Sequence, residues 1–293
     1  MAIDLSILAK GNSTLQALDT ELEMRQDTKP RPYLGGSAIG DECSRKLWYG
    51  FRWYKTITFE ARTLRLFEDG HRTEDLMAQR LKMIPNLHLD EVDPASGKQW
   101  GFVAIDGHFR GHADGKIIGL QEAPNSLHIW ENKSVGEPNF KKLQKAIKDH
   151  GEKDALEKWN ETYWGQIQVY MKMFDCKRAY HTVTTPGGRD YISLRTEYNP
   201  KYADHLLDKA AKIIGSSSPP PRISNDRTFF KCKWCDYSAI CHDKAAPEIT
   251  CRSCIHSYPS EKGTWACEKF NRILDRTDQE AACGIHTTIP DAI

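Results

Sequence analysis

No run of about 18 apolar residues, the length a helix needs to cross a bilayer, occurs anywhere in the 293-residue sequence. The opening residues, MAIDLSILAKGNSTLQ, lack a positive flank followed by an apolar core, so no secretory signal is expected. These two absences predict a cytoplasmic chain, bacterial or within an infected host, with no membrane partner. A surplus of charge is missing too: 41 Lys and Arg stand against 40 Asp and Glu, so any contact with nucleic acid must come from a local patch. The phosphate-cradling pattern Gly-x4-Gly-Lys-Ser/Thr is absent, so a nucleotide-driven motor would have to be a separate protein.

Cysteine is what the chain has in quantity. There are nine, an odd number, and eight fall in patterned positions. A chain without a secretory signal is not expected to be stapled by disulfides, so metal ligation is the leading explanation. Cys232, Cys235 and Cys241 form a Cys-x2-Cys-x5-Cys group. Three thiolates make an incomplete tetrahedral set, and Cys43 is the candidate for the fourth. The spacing does not separate Zn²⁺ from a [4Fe-4S] cluster. Beyond them, Cys251, Cys254, Cys267 and Cys283 lie close to His256 and His286 in a segment poor in apolar residues, which needs a staple such as zinc. Four cysteines suffice, with His286 as the substitute for Cys283. Cys176 is left over and is read as a buried thiol.

The stretch GHADGKIIGLQEAPNSLHIWENKSV, from Gly111 to Val135, reads as a β-hairpin with Asp114 on its first strand, a turn over 122–126, and Glu131 and Lys133 on its second. Strand side chains alternate, so Glu131 and Lys133 share a face, and in register Asp114 approaches that face. Two carboxylates and an amine buried among Ile, Leu and Trp must pair or hold a metal. Hard oxygen donors suit Mg²⁺ or Mn²⁺, and the lysine can hold or deprotonate a water beside the ion. The bland alternative is an exposed hairpin with solvated charges.

Around this stretch the pattern predicts a helix over 12–26, capped by Asn12 or Ser13, that packs through Leu15, Leu18 and Leu22. A second helix begins near Ser37 and carries Cys43 one turn before Leu47. A long helix over 60–84 contains Gly70, His71 and Glu74. Glycine inside a helix costs about 1 kcal/mol, so Gly70 calls for a reason such as close approach of backbone or substrate. Extended segments over 87–92 and 98–106 precede the hairpin. Lys141, Lys145 and Lys148 form a basic stripe after it, either solvated or a phosphate-tracking surface. A helix over 154–174 sets Gln166 and Tyr170 on one face. Two strands around a Pro-Gly-Gly turn, a helix over 201–214 and a proline-rich linker over 215–228 complete the chain before the late cysteines.

Asp114 in GHADG, the triplet Glu131-Asn132-Lys133, the Gln166-x3-Tyr170 pair, and an early cysteine with a late Cys-x2-Cys-x5-Cys together resemble the PD-(D/E)XK nuclease superfamily, in its RecB-like branch with an iron-sulfur cluster. That branch includes the CRISPR-associated RecB-like exonucleases and AddB-type nuclease domains. The resemblance covers about residues 37–242. It implies an α/β fold, a restriction-endonuclease-like mixed central sheet flanked by helices. An N-terminal helical extension (1–36) would precede this core. A small cysteine-rich zinc module (243–293), like the extension on phage-borne relatives, would follow it.

By the same resemblance Asp114 and Glu131 ligate Mg²⁺ or Mn²⁺, joined by the carbonyl of Asn132, and Lys133 orients or activates water. Gln166 and Tyr170 position DNA and the site, and Cys43, Cys232, Cys235 and Cys241 hold a [4Fe-4S] cluster. Gly70-x3-Glu74 fits a further ligand position, favouring Glu74 over His71. Asn132 departs from the apolar residue usual there. The function implied is a Mg²⁺/Mn²⁺-dependent deoxyribonuclease, an exonuclease on single strands or free ends, with DNA and a recombination or replication protein as partners. A non-catalytic DNA-binding scaffold and a structure-specific or restriction-type endonuclease are the alternatives.

Overall fold

The computed structural model describes residues 13–290. Its centre is a mixed five-stranded sheet ordered β2 (His88–Asp90), β5 (Gly115–Ile118), β6 (His128–Ser134), β7 (Arg178–Thr184), β8 (Tyr191–Glu197). All neighbours are antiparallel except β6 and β7, which run parallel with Glu131 opposite His181. A parallel pair needs a crossover, supplied here by three consecutive helices: Glu137–His150, Glu152–Trp159 and Glu161–Met173.

Alternation along β6 divides its side chains between two layers. Trp130 packs with Met77, Ala78 and Leu81 of the long helix Ala61–Leu81, and Ile129 packs into the main core with Ile167 and Tyr170 of the helix Glu161–Met173. Glu131 and Lys133 share the Ile129 face. A second sheet, β1 (Leu34–Gly35), β4 (Phe109–His112), β3 (Gly101–Ala104), extends that core through Phe102 and Phe109.

Several expected elements have different limits. The helix expected from Ser37 is a 3-10 turn, Gly36–Ala38, followed by a break. The α-helix starts at Ser44, with Cys43 as its N-cap, the thiol accepting from Lys46 N at 3.4 Å. The break follows from close packing, because a Cβ on Gly40 would lie 2.7 Å from the carbonyl oxygen of Glu161. The helix expected over 154–174 is two, divided at Asn160, whose side chain accepts from Tyr163 N at 3.1 Å and caps the second.

The first helix, Ser13–Arg25, buries no residue fully: Leu15 and Leu18 are about half exposed, at 56% and 51%, of the three leucines only Leu22 is partly covered, and polar contacts such as Ala61 N donating to Glu23 at 2.8 Å tie the helix to the long helix instead. Its candidate cap Asn12 lies outside the described residues. Cys176 is buried as expected, its thiol donating to Leu127 O and Arg178 O.

The linker over 215–228 is tied down. Arg45 donates to Pro220 O at 2.7 Å, and Trp48 donates to Ser216 O at 3.1 Å. After it comes a three-stranded antiparallel sheet, β9 (Ser257–Pro259), β10 (Trp265–Cys267) and β11 (Arg272–Leu274). Trp265, Cys267, Leu274 and Ile289 join the main core. Arg252, 1% exposed, lies 3.8 Å over the Trp53 ring and 4.4 Å over Trp265, and donates to Phe51 O, Pro32 O and Gln279 Oε1. Among the described residues no helix is long and apolar enough to cross a membrane.

Candidate active site

Asp114 sits not within a strand, as the hairpin reading has it, but at the bend where the chain leaves β4 and enters β5. The β5–β6 register pairs Gly115 with Trp130, which sets Asp114 beside Glu131. Its Oδ2 accepts from Asn132 N at 2.8 Å. A bend residue can turn its carboxylate toward the neighbouring strand while the strands on either side belong to different sheets.

Glu131 is 1% exposed. Its Oε2 accepts from Lys133 Nζ at 2.8 Å and from Gln166 Nε2 at 3.0 Å, while Oε1 is buried without a hydrogen-bond partner among the described residues. Burial pushes its pKa up to about 8, with the nearby charges of Asp114 and Glu74 acting the same way. Glu74, on the long helix, is pushed up to about 7, first by burial and then by Asp114. Asp114 is raised as well, by burial. Burial works against the charge on Lys133, yet Glu131 and Asp114 hold its ammonium above the ordinary lysine value, so it is a donor rather than a base.

Three carboxylates therefore influence one another around one half-buried ammonium, an excess of negative charge that a divalent cation would neutralise. The orphaned Glu131 oxygen is the kind of group a metal would satisfy. Among the described residues no three His, Cys, Asp or Glu side chains form a ready-made ion cage.

The other candidates fall into place by element. His71 is exposed but close enough to Asp114 to stabilise its charge. The Asn132 side chain lies on the opposite face of β6 from Glu131, accepting from Thr182 Oγ1 at 2.9 Å, so only its main chain is available at the acids. Gln166 and Tyr170 are 5% and 2% exposed, so they lie beneath the surface, Gln166 against Glu131. Tyr170 fits because Gly36 and Gly111 have no Cβ, which would stand 3.0 and 2.8 Å from its ring.

Gly70 meets no neighbour: a Cβ there would have nothing within 4 Å. Close approach of backbone is thereby removed as its reason. Lys141, of the basic stripe, is exposed and paired with Glu137 at 2.7 Å, and Lys145 and Lys148 are exposed on the same helix. Two groups escape a sequence reading. Asp69 accepts from Ser134 Oγ at 3.3 Å and from Gly187 N at 3.2 Å, fastening the end of β6 and the Pro-Gly-Gly turn to the long helix. Tyr163 holds its ring 5.5 Å from Lys133 Nζ. Asp69 stands next to Gly70, which is a faint signal; nothing in the sequence marks Tyr163.

The cysteines assemble in two groups. Cys43, Cys232, Cys235 and Cys241 line one cavity of ≈ 480 Å³. Burial and then the neighbouring Cys43 raise the Cys232 thiol, and burial raises that of Cys235. Cys251, Cys254, Cys267 and Cys283 line a second cavity of ≈ 20 Å³ together with His256. The Cys251 thiol is pushed up to about 11 by burial and by the other three. His286 is turned away from them, its Nε2 3.0 Å from Ser253 Oγ.

No protein-family model matches the chain, and no curated protein matches it. Among solved structures, the crystal structure of SSO0001 aligns over 81% of this chain and 100% of its own, at 16% identity and a TM-score of 0.44. An alkaline exonuclease, LHK-Exo from Laribacter hongkongensis, aligns over 66% and 90%, at 15% identity and a TM-score of 0.43. LHK-Exo in complex with dAMP aligns over 62% and 86%, at 12% identity and a TM-score of 0.42. These likenesses are distant, and the functional reading rests on the site's own geometry.

Proposed function

We propose that the chain is a divalent-metal-dependent deoxyribonuclease of the PD-(D/E)XK type, an exonuclease on single-stranded DNA or free ends. The observation that carries this is the pairing of Asp114 and Glu131 on neighbouring strand positions, with the half-buried Lys133 at 2.8 Å from Glu131 and one Glu131 oxygen left without a partner among the described residues, and with Glu74 near enough to add to the same excess of negative charge. The three carboxylates, with the main-chain carbonyl of Asn132, would hold Mg²⁺ or Mn²⁺. Such an ion polarises a phosphodiester and makes hydroxide available near neutral pH. Lys133, kept charged, would donate to the attacking water or to a phosphate oxygen as negative charge develops there. Gln166 fixes the Glu131 carboxylate from below, and the Asn132 N–H fixes that of Asp114. Neither acid then has to be ordered when substrate arrives.

Support for two further cofactors comes from the cavities the thiols line. Cys251, Cys254, Cys267 and Cys283 border one small cavity, which supports Zn²⁺ there. Cys43, Cys232, Cys235 and Cys241 border another although Cys43 lies about 190 positions before the rest, which supports a shared centre, [4Fe-4S] or Zn²⁺. An absorption spectrum of anaerobically purified protein distinguishes iron from zinc at the first set.

The test of the enzyme reading is cleavage of end-labelled single-stranded and of circular DNA with Mn²⁺ or Mg²⁺. Degradation of linear but not circular substrate is expected. Asp114→Asn and Lys133→Ala should each lose at least about a hundredfold in rate. Full activity in either variant overturns the reading. DNA binding without cleavage in both metals would leave a scaffold instead.

A further inference from the structure

The four-cysteine group carries two large aromatic rings that the core does not use. Trp234, between Cys232 and Cys235 in sequence, is 79% exposed, and Phe230 is 63% exposed. Burial of such side chains is favourable, and folding forgoes it at both. Each ring has a lysine near it: Lys233 Nζ lies 5.2 Å from the centre of Trp234, and Lys231 Nζ, which is also paired with Glu42 at 2.5 Å, lies 5.8 Å from that of Phe230, so Lys233 is the cation offered to a phosphate. Both rings border the ≈ 480 Å³ cavity, and Trp159 borders it from the helix preceding Asn160. Trp159 is 5.6 Å from Tyr163, ring centre to ring centre, and Tyr163 in turn lies 5.5 Å from the Lys133 ammonium. Aromatic rings thus stand on both sides of that cavity, with Trp159 and Tyr163 on the side of the acids' own lysine.

We propose that Trp234 and Phe230 form a stacking platform for single-stranded nucleic acid, outside the active site, with Trp159 and Tyr163 continuing the track toward Lys133. An unpaired strand exposes the faces of its bases, which stack on aromatic side chains irrespective of sequence, while interleaved cations meet its phosphates. A duplex keeps those faces occupied and has nothing to offer Trp234. The platform rests on the nuclease reading for its purpose but not for its measurement.

The experiment uses full-length, anaerobically purified protein in an Asp114→Asn background, with fluorescently labelled oligothymidylate and a duplex of equal length. Anisotropy titrations are run beside Trp234→Ala, Phe230→Ala and Trp234→Phe, with the melting temperature of each. Trp234→Ala and Phe230→Ala should each weaken single-strand binding by about five- to a hundredfold. Melting temperature and duplex binding should stay unchanged, and Trp234→Phe should recover most of the loss. Equal single-strand affinity in parent and Trp234→Ala overturns the proposal, as does a parent that binds no single strand, or a loss shared equally by duplex. Failure of the nuclease reading shows elsewhere, in the absence of cleavage by the protein that retains Asp114.

Discussion

At the residue scale the acids tie stability to pH and, under the proposed function, to a divalent ion. Glu74 is raised toward about 7 in the folded chain from an ordinary value of 4.5, so the folded state holds its proton more tightly than the unfolded state. Its contribution to stability is present below pH 4.5, falls as the pH rises toward 7, and is fully lost above. Glu74→Gln should therefore raise metal-free stability at pH 8 by about 1–2 kcal/mol, after discounting for its partial exposure. The same variant should shrink the rise in melting temperature that Mn²⁺ gives the parent, a rise expected from binding to the folded state alone. Differential scanning calorimetry with and without Mn²⁺ checks both. Two glycines make a contrasting pair. Gly40→Ala drives a Cβ to 2.7 Å from the Glu161 carbonyl oxygen and should cost about 2–4 kcal/mol by denaturant titration. Gly70→Ala, in an open helix position, should instead stabilise by about 0.5–1 kcal/mol. If substrate occupies the space beside Gly70, that variant also cleaves more slowly.

At the scale of elements, β6 and β7 carry most of the site's polar burden. His181, opposite Glu131 on β7, is pulled down to about 3 by burial and by the Lys133 ammonium. The unfolded chain binds that proton near 6.5 and the folded chain does not, so stability should fall as the pH drops from about 6.5 toward 3. The slope is at most about 1.4 kcal/mol per pH unit from this group. His181→Gln should flatten that limb, read as the difference in urea midpoints between variant and parent at pH 7.5 and 5.5. The break between the helices ending at Trp159 and starting at Glu161 is a second element-scale device. Asn160→Ala removes the cap on Tyr163 N and should cost about 1 kcal/mol, measured by thermal melting. A continuous helix over 154–174 fits the hydrophobic period just as well. The period cannot see that Gly165 and Gly40 approach so closely that a Cβ on Gly165 would be 2.6 Å from Gly40 Cα.

Across the whole molecule, buried arginines lock the cysteine-rich C-terminal segment onto the core. Arg252 gives its hydrogen bonds to Phe51 O, Pro32 O and Gln279 while lying between Trp53 and Trp265, and Arg52 donates to the carbonyls of Arg252 and Ser257. Arg252→Ala leaves those carbonyls unpaired and a cavity between two indoles, and should cost about 3–5 kcal/mol in a denaturant titration. Much of the arrangement was legible in the chain itself. Residue type and spacing fixed the acid-x-lysine triplet on one strand face, the Gln166–Tyr170 pair on one helix face, and the two cysteine groups, because periodicity and side-chain chemistry are local properties. Only the tertiary structure decided that Asp114 lies at a bend between two sheets, that Glu74 comes near enough to feel its charge, and that Tyr170 is buried. It alone put Asp69, Tyr163 and the Trp234 rim where they stand. Those placements depend on contacts between residues tens to hundreds of positions apart, which a local pattern does not encode.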